Sequence, residues 1–216
     1  MTATFYFDLT SPDAYIAAER ILSVLPGPAA WTPVSARGLA ESVGAGPGSG
    51  AADLLGAALG GDVAEAGRER FERRARELGL QELRWPDPFP FDSTLALRVA
   101  TYARQIGRAV AFAQAAFRQA FAGGHSLAQQ DAVLIAAAAC EMHPAAVLKA
   151  AGTRSVIAEL LEATATARAS GVRAVPAVLV PGTLDGGAPA VFHGESSLAE
   201  AAACMRGPTT RSASGA

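Results

Sequence analysis

Lysine is almost missing from this chain of 216 residues: Lys149 is the single example, beside 17 arginines. A phosphate-binding GxxxxGK loop is therefore excluded. Cysteine is scarce too. Cys140 and Cys204 lie far apart and no CxxC occurs, which excludes a dithiol redox centre and a zinc ribbon. A disulfide scaffold is excluded for a chain so long and so poor in cysteine. Of the three histidines, His125, His143 and His193, only His143 has another ligand type close by, Cys140. Two donors do not make a metal site, so no metal is expected. The longest apolar run, residues 132–140, is too short to span a bilayer. The opening MTATFYFDLTSP has neither a basic stretch nor an apolar core, so a signal peptide is not expected. The expected location is the cytosol, with both cysteines as reduced thiols. A net charge of −2 and a pI of about 5.9 argue against nucleic acid and an anionic membrane surface as partners.

What is present is apolar and ordered. Half the residues are hydrophobic and 18% are charged, enough to bury a sizeable core in one domain or one domain with an insertion. Residues 4–8 (TFYFD) read as a short buried strand. Ser11-Pro12 then starts a helix, serine as N-cap and proline at the first helical position, with Tyr15, Ala18, Leu22 and Leu25 at helical spacing. Residues 29–34 (AAWTPV) form a second strand, and Pro33 marks an edge or a strand end. Residues 43–51 are a Gly-rich surface loop and lack the dinucleotide-binding pattern. From about 62 to 170 the period is helical. Arg70, Arg73, Arg74 and Arg76 on the helix over 62–78 read as a solvated face balanced by Glu69, Glu72 and Glu77. Residues 154–170 are the last long helix of this block. A strand introduced by Val175-Pro176, a turn over 182–188, a returning strand over 189–193, a helix over 196–205 and a disordered tail over 207–216 complete the chain.

The order β-α-β, helical block, β-β-α resembles a thioredoxin fold, a four-stranded mixed sheet, with a large all-helical insertion domain. The division expected is residues 1–35 and 170–206 for the thioredoxin-like part and 36–169 for the insertion. Three segments narrow the resemblance. FYFDLTSPDAYIAAERI (5–21) is similar to the opening of the DsbA-like group that includes 2-hydroxychromene-2-carboxylate isomerases and kappa-class glutathione transferases. WPDPFPFDSTLALRVATYARQIGR (85–108) is similar to that group's P-x-x-F-P-x-N-S-x-x-A-x-R segment. GVRAVPAVLV (171–180) resembles its G-V-x-G-V-P-T-F loop, whose proline is cis. The resemblance implies a cofactor, glutathione or another low-molecular-weight thiol, and a small-molecule substrate with a conjugated or aromatic acid group. It implies a homodimer. It places Ser11 beside the sulfur as the catalytic residue. Val175 and Pro176 pair with the cysteinyl part of the thiol peptide, and Glu195 and Ser196 sit at its γ-glutamyl end. A serine at a helix N-terminus suits that role, because the hydroxyl and the positive end of the helix dipole both favour a thiolate.

The chain also departs from the pattern. Asp92 stands where the group has Asn and reads as a helix N-cap. The group's arginine after the final strand is absent from Phe192-His193-Gly194-Glu195-Ser196-Ser197, and the stretch after Trp31-Thr32-Pro33 offers no lysine. Ser11-Pro12 is also an ordinary helix cap, worth about 1 kcal/mol. Three functions remain open on the sequence. The first is a thiol-dependent isomerase or kappa-type transferase. The second is a catalytically silent binding module, and the third is an oxidoreductase using Cys140 or Cys204. Asp8, Tyr15, Trp31, Trp85 and Cys140 read as structural, and His193 as a hydrogen-bonded strand residue.

Overall fold

The computed structural model describes residues 2–40, 65–182 and 188–207. The Gly-rich loop over 43–51, the first residues of the helix expected over 62–78, most of the turn over 182–188 and all but Gly207 of the tail lie outside the described residues. Four strands form one mixed sheet in the order β2-β1-β3-β4. They are β1 (Ala3–Phe7), β2 (Ala29–Pro33), β3 (Ala177–Val180) and β4 (Ala190–His193). β1 pairs parallel with β2 and antiparallel with β3, so Phe5 lies between Trp31 and Val178. β2 is an edge strand and Pro33 is its last residue, where the missing N–H removes no ladder bond from a neighbour. This is the thioredoxin arrangement expected from the sequence.

The two-residue period of β1 divides the core. Phe5 and Phe7 face one side of the sheet; Tyr6 faces the other. On the first side lie helix α1 (Pro12–Val24) and α5 (Ala109–Phe121), with Phe7 and Phe117 ring centroids 5.8 Å apart and Tyr15 and Phe121 5.6 Å apart. Ala113, Ala116 and Ala120 are fully buried on α5, and their small side chains let neighbouring helices approach. On the second side Tyr6 packs with Val34, Leu39, Ala167 and Val172. The last two belong to helix α8 (Arg154–Ala169) and the turn after it, and Leu39 to the short α2 (Ala36–Ala40). The helical block contains α3 (Glu65–Glu77), α4 (Thr94–Gln105), α5, α6 (Gln130–Ala138), α7 (Pro144–Ala151) and α8. A 3₁₀ turn (Glu195–Ser197) leads into α9 (Leu198–Arg206). No helix among the described residues is long and apolar enough to cross a membrane.

Candidate functional site

The corner where β1 meets α1 is built by local hydrogen bonds. Asp8, at the end of β1, is buried. Its carboxylate accepts from the Thr10 N–H (3.0 Å), the Ala36 N–H (2.8 Å) and the Ser93 hydroxyl (2.8 Å). Burial pushes its pKa up, against those three donors. Asp8 thereby fixes the starts of α2 and α4 to the strand end. The Ser11 N–H donates to the Asp8 carbonyl at 3.1 Å, and Ser11 Oγ accepts from the Ala14 N–H at 3.1 Å, the N-cap geometry of α1. The same hydroxyl donates to the Val175 carbonyl at 3.5 Å. Ser11 is fully buried. Thr10 beside it carries a buried hydroxyl with no hydrogen-bond partner among the described residues. The Val175-Pro176 bond is cis.

Above this corner opens a cleft of about 410 Å³. Asp13 from the first turn of α1 lines it, with Arg70, Phe71 and Arg74 from α3, Ala174 and Val175, and residues 193–196. Of the residues singled out in the sequence, Val175, Glu195 and Ser196 therefore share one cleft. Ser11 and Pro176 do not line it: the buried Ser11 bonds the Val175 carbonyl, and the buried Pro176 accepts the Gly194 N–H on its own carbonyl at 2.9 Å. Glu195 is placed differently from a ligand-facing acid. It is 3% exposed, and its carboxylate pairs with Arg20 and, at 2.9 and 3.2 Å, with Arg74. Its N–H donates to Asp13 Oδ2 at 3.1 Å. Ser196 is exposed at the rim. His193 accepts the Arg173 N–H on Nε2 at 3.0 Å, and burial first, then the charge of Arg173, holds its pKa low.

The basic run on α3 needs a correction. Arg70, Arg73 and Arg76 are exposed as expected, but Arg74 is half-buried, and Arg70 and Arg74, one turn apart on one face, line the cleft. A clue was available: Phe71 sits between them in a helix otherwise rich in charge, which marks the side that packs. Asp13 was missed as well. Burial pushes its carboxyl up to about 6, opposed by Arg70 and Arg74. The cleft thus offers a titrating acid and two guanidinium groups within one wall. Neither cysteine lines it, and burial raises the thiol pKa of Cys140. Trp31 is core, edge-on to Phe5, and Trp85 donates its N–H to Glu72 at 2.7 Å; neither lines the cleft. Asp92 is exposed and accepts from the Thr94 N–H and hydroxyl at 2.9 and 2.6 Å, bonds that hold its pKa low; the N-cap position of α4 falls on Ser93 and not on Asp92 as expected. Among the described residues no group of three or more His, Cys, Asp or Glu is arranged to hold a metal ion.

Residues 2–203 match the model of the DsbA-like thioredoxin domain. No curated protein matches the sequence. Among solved structures, a 2-hydroxychromene-2-carboxylate isomerase superimposes with a TM-score of 0.76 at 16% identity, covering 95% of each chain. A probable DsbA oxidoreductase from Streptomyces coelicolor gives 0.70 at 17% identity, covering 97% of this chain and 92% of that one. The cytosolic disulfide reductase DsbM from Pseudomonas aeruginosa, solved with GSH, gives 0.60 at 13%, covering 95% and 98%.

Proposed function

Because the chain belongs to the DsbA-like thioredoxin family, we propose that it is a thiol-dependent isomerase of the 2-hydroxychromene-2-carboxylate type, using glutathione or a similar low-molecular-weight thiol. The observation that carries this reading is the meeting of Ser11, at the head of α1, with the Val175 carbonyl beneath a cleft holding charges of both signs. The donor set fits a zwitterionic thiol peptide. Asp13 suits an ammonium group, Arg70 and Arg74 suit carboxylates, and the exposed Ser196 hydroxyl supplies a neutral donor at the rim. When bound, such a thiol would supply the nucleophile that lets a conjugated double bond rotate. The chain's own work is to hold that sulfur ionised. Ser11 Oγ donates to it within the positive end of the α1 dipole, and Pro12-Asp13 continue the helix behind. At 3.5 Å the bond from Ser11 to the Val175 carbonyl is at the limit of hydrogen bonding, so the hydroxyl exchanges partners at little cost.

The complete burial of Ser11 favours a second reading, a catalytically silent module whose serine only caps α1. Melting with reduced glutathione and with S-methylglutathione separates the two. Saturating free thiol at a hundred times its dissociation constant raises the midpoint by roughly 5–10 °C for a chain of this size. The isomerase reading expects that shift, a smaller one with the S-blocked form, and loss of both the difference and the isomerisation of 2-hydroxychromene-2-carboxylate in Ser11→Ala. A Ser11→Ala protein that keeps thiol-dependent turnover would sink the role given to Ser11.

A further inference from the structure

Between three helices lies a second cavity of about 370 Å³, and it shares no residue with the cleft at Val175 and Asp13. It is a groove between α2, α4 and α8. Ser35 ties the first to the third: its N–H donates to Thr164 Oγ1 at 3.1 Å. α4 and α8 run in opposite directions, because Arg104 and Gln105 at the end of α4 both bond Glu159 near the start of α8. The groove therefore has two unlike ends. Towards the start of α4 and the end of α8 stand Arg37, Arg98 and Arg168. Towards the start of α8 stand Ile157, Leu160 and Leu161. Eleven helical residues separate Ile157 from Arg168, a length of about 16 Å.

Charge and surface are both out of balance here. Among the described residues neither Arg37 nor Arg98 has a carboxylate within salt-bridge distance. Asp92 lies in the field of both, yet its Oδ1 already takes two bonds from Thr94, and it offsets at most one guanidinium charge. Leu161 is 66% exposed, the most of any large apolar side chain among the described residues. A cationic head and an apolar trough of this volume, within the size range of small-molecule sites of about 300–1,000 Å³, complement one kind of molecule.

We propose that this groove binds an amphipathic organic anion, a carboxylate head on an extended apolar tail, at a site separate from the cleft over Ser11. The head pairs with Arg98 and Arg37, and the tail lies along Leu160 and Leu161. Neither contact depends on the function proposed for the cleft.

Calorimetric titration of the full chain with decanoate tests this. Saturable binding at one site is expected, with decanol, which has the tail but no charge, weaker by about tenfold or more. Arg98→Gln is expected to weaken decanoate by about tenfold through the lost ion pair. Leu161→Asp, at an exposed position that folding does not depend on, is expected to weaken it by a similar factor. Saturating glutathione leaves decanoate affinity unchanged. Absence of saturable binding, equal affinity in Leu161→Asp, or displacement by glutathione overturns the proposal. A protein that binds decanoate and not glutathione upholds this site while removing glutathione as the thiol of the cleft.

Discussion

At the end of β1 Asp8 accepts from two backbone N–H groups and a hydroxyl; in the cleft, Glu195 accepts from two guanidinium groups. Both carboxylates are buried, and both join segments distant in sequence. The strand end is held by neutral, directional donors, two of them fixed in the main chain. Glu195 is held by long charged side chains that are partly open to water. Asp13 sits between them. It takes one backbone N–H from Glu195 and otherwise faces the cleft, and its carboxyl is raised to about 6. A buried acid with all its bonds made is architecture. A half-buried acid with lone pairs left over, facing a cavity, is available for chemistry.

This contrast is open to direct attack. Asp8→Ala strands three donors at once and is expected to be the most damaging change, costing about 4 kcal/mol in urea denaturation at neutral pH. Asp8→Asn, which keeps an oxygen for Thr10 and Ser93 but turns an NH2 group on the Ala36 N–H, is expected to cost less than the alanine. Next comes Glu195→Ala, which leaves Arg20 and Arg74 without their buried partner. Breaking such a pair costs about 3 kcal/mol, at the lower end for a buried bridge because both arginines reach solvent.

Asp13→Asn should act with the opposite sign. Asp13 holds its proton more tightly in the folded protein than in the unfolded chain, so wild-type stability falls as pH rises from about 3.8 to about 6. Asparagine removes that fall and leaves the variant more stable than wild type at neutral pH by about 2 kcal/mol, while weakening any ligand bound through an ammonium group. A pH profile parallel to wild type would show that Asp13 is not the group responsible. The smallest effect on stability is expected for Ser11→Ala, about 1 kcal/mol for a lost N-cap. A loss well above that would assign Ser11 a structural part larger than capping.

The legible parts of this molecule follow from short-range rules. The Ser11-Pro12 start of α1 depends on a hydroxyl and an N–H three residues on, and Ala14 supplies it. The strands at both ends showed in β-branched and aromatic runs, and the proline that closes β2 fell where an edge allows it. The meeting of Val175, Glu195 and Ser196 in one cleft followed from the resemblance. The illegible parts are choices among equals. Four arginines within two turns of α3 look alike in sequence, with Glu69, Glu72 and Glu77 as ready partners. Arg74 does bond Glu77, at 3.3 Å, but its shorter bonds go to Glu195, 121 positions away.

The sequence by itself determined where strands and helices begin, which residues alternate into the core, and that no cysteine pair could do the chemistry. Those features depend on neighbours within a few residues, on periodicity or on composition. Only the tertiary structure decided that Asp8 is saturated and Asp13 is not, that Glu195 holds arginines, and that three more arginines line a second groove with leucines. A charge's energy depends on what surrounds it in three dimensions. Burial and distance to a partner, which set that energy, come into being only when the chain is folded.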